Sequence, residues 1–399
     1  MSEKNRVLIA GGGPVGLVSA MHLASQGIPV EVFESNSELP MDLRASTFHP
    51  PTLDMLDKYG ITNQLIESGL TAPTWQYRDR ESGEKAEFDL GLISEFTNHP
   101  YRVQCEQHKM TRMILSKINS WDNVNIHFSS KVVSVGQDSD NAWLEIDRNG
   151  ESSKIYGKYI IAADGANSVI RNKLELGFEG VTYPEWFVQA TTPFEFRDYI
   201  SGLSLINYVS DSDEWFVLLR VVGNWRCLFP SREGERQEDA ISEDSLQARV
   251  NGIHKRKEKY ELIHKTIYRI HQRVATTYNV GRIFLAGDSA HLNNPLGGMG
   301  MNGGIHDAIN ITDKIDKVWK GEGDHSLFDL YTRQRQPVAV ESVQAQADRN
   351  RQLLNDKDPE KRLARFRQIQ ETANNEKKAK DFLLKSSMIE SLERASLIH

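Results

Sequence analysis

"RVLIAGGGPVGLVSAMHLASQGIPVEVFES", residues 6–35, decides the fold. An apolar run ends in a glycine turn, a helical pattern follows, and a second apolar run closes the unit. This is a βαβ unit beginning almost at the first residue, so an α/β architecture built on a parallel sheet is expected. Gly11, Gly13 and Gly16 hold G-x-G-x-x-G spacing between strand and helix. The first glycine makes the tight turn, the second lets backbone approach a pyrophosphate, and the third permits close helix–strand packing. The helix start, which includes Pro14 and Val15, offers unpaired N–H groups and the positive end of a helix dipole to phosphates. Glu34 ends the second strand, where a carboxylate accepts from ribose hydroxyls. A dinucleotide site is therefore predicted, and this motif by itself leaves NAD and FAD both open.

The chain as a whole has the composition of a soluble globular protein, with 399 residues, 39% hydrophobic, 26% charged and a net charge of −7. That length accommodates two domains or more. The negative charge spreads over both halves without a basic stripe, which argues against nucleic acid as a partner. With Cys105 and Cys227 the only cysteines, neither a disulfide scaffold nor a cysteine zinc site is expected. The histidines show no metal-ligand spacing, so no metal is expected. No apolar run approaches the roughly 20 residues that span a bilayer, and the opening "MSEKNR" lacks the features of a signal peptide. The expectation is a cytoplasmic protein, monomeric or homodimeric, with no membrane partner.

Along the chain, helix is predicted over about 50–68 and 106–120, and alternating strands over 73–100. Strands recur within 124–147, a strand–turn–helix falls at 158–174, and 180–230 again favours strands. Beyond residue 331 the chain is charged and helical, without a glycine. The expected organisation is a discontinuous nucleotide domain (1–72, 101–179 and 270–340) and a mostly antiparallel sheet domain (73–100 and 180–269). A helical segment, 341–399, follows. In it Phe382, Leu383, Met388 and Leu392 fall at helical spacing and are expected to pack on the nucleotide domain or on another subunit.

Two further glycine turns settle the nucleotide. "AADGANSVIR" (162–171) places Asp164 and Gly165 after a strand, with Ser168 and Arg171 opening the next helix. "RIFLAGDSAHLNNPLGGMGMNGGIHDA" (282–308) places Gly287 and Asp288 after another. With the N-terminal fingerprint, these turns resemble the three signatures of the single-component flavin-dependent aromatic hydroxylases, the class A FAD monooxygenases typified by 4-hydroxybenzoate hydroxylase. The resemblance covers the chain to about residue 340. It implies a Rossmann-like FAD-binding domain with an inserted substrate-binding sheet. It also implies that Asp288 holds the flavin's ribityl chain. The run Pro295, Gly298, Gly300, Asn302, Gly304 and Asp307 fits the family pattern, in which loop backbone and the next helix's N-terminus, here including Met301, meet the isoalloxazine. Reduced flavin is an anion, which suits such a terminus. The resemblance further places Arg44 near the pyrophosphate and the flavin edge, Gln107 on the FAD linker and Val132 at the adenine. One departure stands out: many of these hydroxylases carry two prolines before the late loop, and here the pair is Asn294 and Pro295. Pro295 keeps the residue whose carbonyl faces the flavin in the family, while Asn294 adds a polar side chain beside it.

The family reaction uses NADPH or NADH to reduce FAD. Dioxygen then gives a flavin hydroperoxide that attacks an electron-rich ring. No second G-x-G-x-x-G is present, so a separate nicotinamide domain is not expected. The substrate is expected under the inserted sheet, within 73–100 and 180–230. Arg220 falls where the type enzyme has its carboxylate-anchoring arginine, and a surface arginine on a strand is the other reading. Tyr208 and Tyr183 are candidates to hydrogen-bond a phenol, or structural tyrosines. His49 flanks the Arg44 loop, and His291 is read as packing beside Asp288. A phenolic or N-heteroaromatic acid is the expected substrate. A polycyclic or polyketide-like substrate, a non-oxygenating reductase of the same fold and a flavin-binding sensor are the alternatives. "VGNWRCLFP" (222–230) lacks the W-x-W-x-I-P of the flavin halogenases, and the tail is too short for the extra thioredoxin-like domain of the phenol hydroxylases.

Overall fold

Val7–Ala10 is buried along its whole length and lies inside a six-stranded sheet. The sheet runs Asn279–Val280, Ile283–Leu285, Tyr159–Ala162, Val7–Ala10, Val30–Phe33, Val124–His127. All its pairings are parallel except the first. Continuous apolar runs are what a parallel strand needs, because helices cover both of its faces. The computed structural model describes residues 4–41, 43, 45–354 and 358–399, apart from the side chains of 342–344 and 353. Arg44 therefore lies outside the described residues.

The parallel register brings the carboxyl ends of neighbouring strands together, where open α/β sheets bind their ligands. Ala10 pairs with Ala162, and Ala162 with Leu285. The three glycine turns, far apart in sequence, thus become neighbours at one sheet edge. Helix Pro14–Ser25 packs on helix Gly300–Lys320, so the first and last turns are also joined through their helices.

The second large sheet has eight strands: His291–Leu292, His264–Ala275, Phe178–Thr192, Asn224–Pro230, Phe216–Val221, Ile206–Ser210, Thr74–Asp79 and Lys85–Asp89. It is antiparallel except where Ile206–Ser210 meets Thr74–Asp79. One face carries Trp75, Tyr77, Tyr208 and Val217; the other carries Phe216, Leu218 and Trp225 against helix Glu243–Ile253. The alternation follows from the two-residue period of a strand.

The structure departs from the sequence expectations in four places. The stretch 50–68 is two helices, Pro50–Asp57 and Ile61–Ser68, separated by a left-handed Gly60. Thr47–Phe48, Leu70–Ala72 and Arg102–Gln104 form a small sheet whose strands are too short for a periodic signal. The stretch between Asp288 and Gly300 is not all loop, because His291 and Leu292 pair with Val274 and Arg273 as an edge strand of the eight-stranded sheet. The tail, finally, packs chiefly on that same sheet. Leu354, Phe366, Leu383 and Ile389 share a core with Trp75 and Tyr77, and the Phe382 ring lies 4.6 Å from that of Phe88 and 5.9 Å from that of Trp75. Met388 reaches Met299 of the late glycine loop, and Leu392 is half-buried.

Candidate active site

The first glycine turn is held by contacts that admit no side chain. A Cβ on Gly11 would stand 2.3 Å from the Ala163 carbonyl oxygen, and one on Gly16 would stand 2.0 Å from that of Gly11. Gly13 differs, since a Cβ there meets nothing within 4 Å. Its freedom from side chain serves what lies outside the protein rather than internal packing. Glu34, at the end of the second strand, is buried and fixes the turn: its Oε2 accepts from Gly12 N at 2.8 Å, and its Oε1 from Asn36 N at 2.9 Å.

In front of Gly13 lies a cavity of about 260 Å³. Gly13, Pro14 and Val15 line one side, Gly165 and Gln107 another, and Asp288, Gly300 and Met301 a third. Asp288 is the exposed residue within 283–290, standing at this cavity while its neighbours are buried. Two helix N-termini open here, at Pro14 and Gly300, and neither has a side-chain cap. Unpaired N–H groups and two dipoles thus converge on one space, which is chemistry for an anion such as a diphosphate. A flavin dinucleotide fits this donor set.

Not every sequence candidate turns its side chain to the cavity. The Asp164 carboxyl is buried, which raises its pKa, and accepts from Ile170 N at 3.2 Å as a helix cap. Ser168 caps the same helix through Arg171 N, and Arg171 donates to the carbonyls of Ala166 and Ser289, tying the second turn to the third. Val132 packs in the core of the parallel-sheet half. The Asn302 amide is a staple, donating to the Thr47 and Gly298 carbonyls at 2.8 and 2.7 Å and accepting from His49 N at 3.0 Å. The Pro295 carbonyl accepts from Gly298 N at 3.0 Å, closing a turn. Asn294 is buried, and its Oδ1 accepts from Leu296 N at 3.1 Å, so this departure from the two-proline pattern is an Asx-type turn that shapes the same loop.

Behind the third turn sits a buried charge network that sequence reading passed over. Asp307 accepts from Arg335 Nε and from His291 Nε2, each at 2.7 Å, and from Gly287 N at 3.2 Å. Burial alone would raise its carboxyl pKa; Arg335 and His291 more than offset that and hold it below the usual value. Asp307 positions the Gly287 peptide, and His291 is part of this network rather than simple packing.

Facing the late loop is a wall of side chains. The Tyr208 hydroxyl faces the Gly297 backbone and the Arg102 guanidinium, both of which work against the rise in its pKa that burial causes. His49 Nε2 lies 2.9 Å from the Gly297 carbonyl, which can only accept, so Nε2 carries the proton. Burial lowers the His49 pKa well below the usual value, leaving Nδ1 as an acceptor without a partner among the described residues. Tyr77 donates to Asn350 Oδ1 at 2.7 Å, and Asn350 Nδ2 reaches the Leu296 carbonyl at 3.3 Å. A tail helix, Ala345–Leu354, therefore bridges the sheet and the loop.

Arg220 is not brought to this wall. Parity puts it on the Phe216 and Leu218 face of its strand, where it pairs with Glu195 at 3.1 Å beside Trp225. Tyr183 reaches the inner core, but its hydroxyl is spent on Asp348 at 2.5 Å and Gln272 at 3.1 Å. Among the described residues no group of three or more His, Cys, Asp or Glu comes together to hold a metal, and no helix is long and apolar enough to cross a membrane.

Comparison with known proteins supports the geometry. The FAD binding domain family model matches residues 4–346. The chain is 30% identical over 393 residues to para-nitrophenol 4-monooxygenase of Pseudomonas sp. strain WBC-3, covering 96% of each chain. It is 30% identical over 359 residues to 6-hydroxy-3-succinoylpyridine 3-monooxygenase of Pseudomonas putida, covering 88% of this chain and 89% of that one. The crystal structure of p-nitrophenol 4-monooxygenase from Pseudomonas putida DLL-E4 superposes with a TM-score of 0.90 at 29% identity, covering 98% of both chains.

Proposed function

Because the chain belongs to the FAD binding domain family, as a flavin-dependent aromatic hydroxylase, we propose that it hydroxylates a compact phenol or hydroxypyridine, with NAD(P)H and dioxygen as co-substrates. The observation that carries the compact ring is the closeness of wall and loop. The Tyr208 hydroxyl faces the Gly297 backbone, and Asn350 spans from Tyr77 to Leu296. A single ring enters such a space with small side-chain movements, whereas a multi-ring substrate needs the tail helix withdrawn. Substrates of the two full-length relatives, a nitrophenol and a hydroxypyridine by name, have this size.

Bound FAD supplies the redox chemistry, taking hydride from NAD(P)H and activating dioxygen. The chain supplies the rest. Gly13 backbone and the two helix N-termini would hold the diphosphate. Asp288 would accept from ribityl hydroxyls, Gln107 would meet the linker, and the N–H groups of Gly300 and Met301 would stabilise negative charge on the flavin. Glu34 adds an acceptor toward the ribose while holding Gly12. The Trp75, Phe88 and Phe382 layer excludes water from the facing side. Tyr208 orients the substrate hydroxyl above the loop.

The test is purified protein reconstituted with FAD and screened with substituted phenols and hydroxypyridines. Stimulated NAD(P)H oxidation with label from heavy dioxygen in the product is expected. Stimulation by polycyclic phenols alone, or oxidation with no label in product, would sink the proposal.

A further inference from the structure

Three buried arginines in this molecule are matched with carboxylates. Arg249 lies on Glu214 and Glu235, Arg335 on Asp307, and Arg362 on Asp79 and Glu81. Arg102, on the short strand Arg102–Gln104, is placed differently. It is 2% exposed, yet no carboxylate pairs with it among the described residues. Its surroundings are the phenols of Tyr208 and Tyr77, the Trp75 ring at 4.9 Å from the guanidinium carbon, and the Ser386 carbonyl at 3.5 Å. Among the described residues its Nε–H has no partner, and neither do the Trp75 indole N–H beside it or the Gln104 amide nitrogen on the same short strand. A buried charge without a counter-ion costs several kcal/mol, and unpaired buried donors add to that. Such an arrangement is retained where a ligand completes it.

Resting on the hydroxylase reading above, we propose that Arg102 recognises a ring-bound oxyanion of the substrate, with Tyr208 as its hydrogen-bonding partner at the same oxygen. The guanidinium supplies charge and direction. The phenolate that it favours is the electron-rich form of a phenol, so the group that selects the substrate also prepares its ring. Arg102 thus takes the anion-reading role for which Arg220 is misplaced.

A chromogenic phenol tests this without turnover. The FAD-loaded protein is titrated with 4-nitrophenol, 4-nitrobenzoate and neutral nitrobenzene, and binding is followed by difference absorption. Bound nitrophenol is expected as the phenolate below its solution pKa, with an apparent shift of roughly one unit or more. Arg102→Met should weaken oxyanion binding roughly 10- to 150-fold and leave nitrobenzene unchanged, and Arg102→Lys should restore part of the loss. Dependence on Arg102 in the benzoate series alone identifies the oxyanion as a carboxylate; dependence in the phenol series identifies it as a phenolate. Equal nitrophenolate affinity in wild type and R102M with FAD retained overturns the assignment. So does nitrophenol bound to wild type in its neutral form, a measurement that stands even if R102M does not fold. The hydroxylase reading is separable: label entering phenols without Arg102 dependence keeps that reading and loses this one, and Arg102-dependent binding without oxygen transfer does the reverse.

Discussion

At the glycine turns the chain presents peptide groups, while the wall opposite presents the side chains of Trp75, Tyr77, Arg102 and Tyr208. The turn at 11–16 is short in sequence, and its fit depends on where a Cβ cannot stand. The wall is assembled from three strands and a tail helix separated by up to 275 residues, between Trp75 and Asn350. Backbone suits an invariant ligand such as a diphosphate. Side chains suit a ligand that differs from one relative to the next.

The sharpest way to break this contrast is to remove the tail. Deleting 345–399 strips Leu354, Phe366, Leu383 and Ile389 from the core of the substrate sheet. At about 1.5–3 kcal/mol for each such side chain, the loss is comparable to the whole stability of a domain. The expected outcome is insoluble protein, or a soluble form whose near-ultraviolet dichroism has collapsed; a native-like spectrum would show the sheet to be self-sufficient. Next in size is Arg335→Met, which leaves Asp307 charged, buried and short of its principal partner. A destabilisation of about 3–5 kcal/mol is expected, read by urea unfolding, and an unchanged midpoint would refute the positioning role.

Gly13→Ala separates cofactor from fold. With open space at its Cβ, the apoprotein should melt within a degree or two of wild type, while FAD affinity falls roughly tenfold or more as backbone approach is blocked. Gly16→Ala, which collides with backbone, should lose the fold as well; equal behaviour of the two variants would erase the distinction. The last test concerns acid. Burial holds the His306 pKa down to about 3, so between that value and the ordinary pKa of 6.5 the unfolded chain binds a proton that the folded chain does not. Stability should therefore be full above about pH 6.5 and decline toward lower pH by up to about 1.4 kcal/mol per unit for each such histidine. His306→Gln should flatten the slope of denaturation midpoint against pH; an identical slope would assign it to other groups.

What the sequence made legible follows from the same contrast. Gly11, Gly13, Gly16, Asp288 and Gly300 are readable because their roles depend on near neighbours in the chain, and the structure gathers these turns at one cavity. Arg220 and Tyr208 lie twelve residues apart on adjacent strands, and sheet register alone decides that they face opposite ways. Arg102 sits on a strand of three residues, too short to show a period, and its significance depends on which carboxylates are absent from its surroundings. Asp307 matched the motif, yet its partner Arg335 comes from a different helix. The tail's apolar spacing announced a packed helix, but amphipathicity names no partner.

The two residues His291 and Leu292 carry a last consequence. On the proposed function, their pairing with Val274 and Arg273 makes the loop facing the cofactor a selvedge of the fabric that would bear the substrate. Adjacent strands hold a spacing of about 4.8 Å, and that ladder is far stiffer than a free loop. Alignment of the two reactants is thus woven in before either arrives. Where an ångström of misplacement can cost about a hundredfold in rate, the shortest strand of the sheet serves as the gauge block for the reaction.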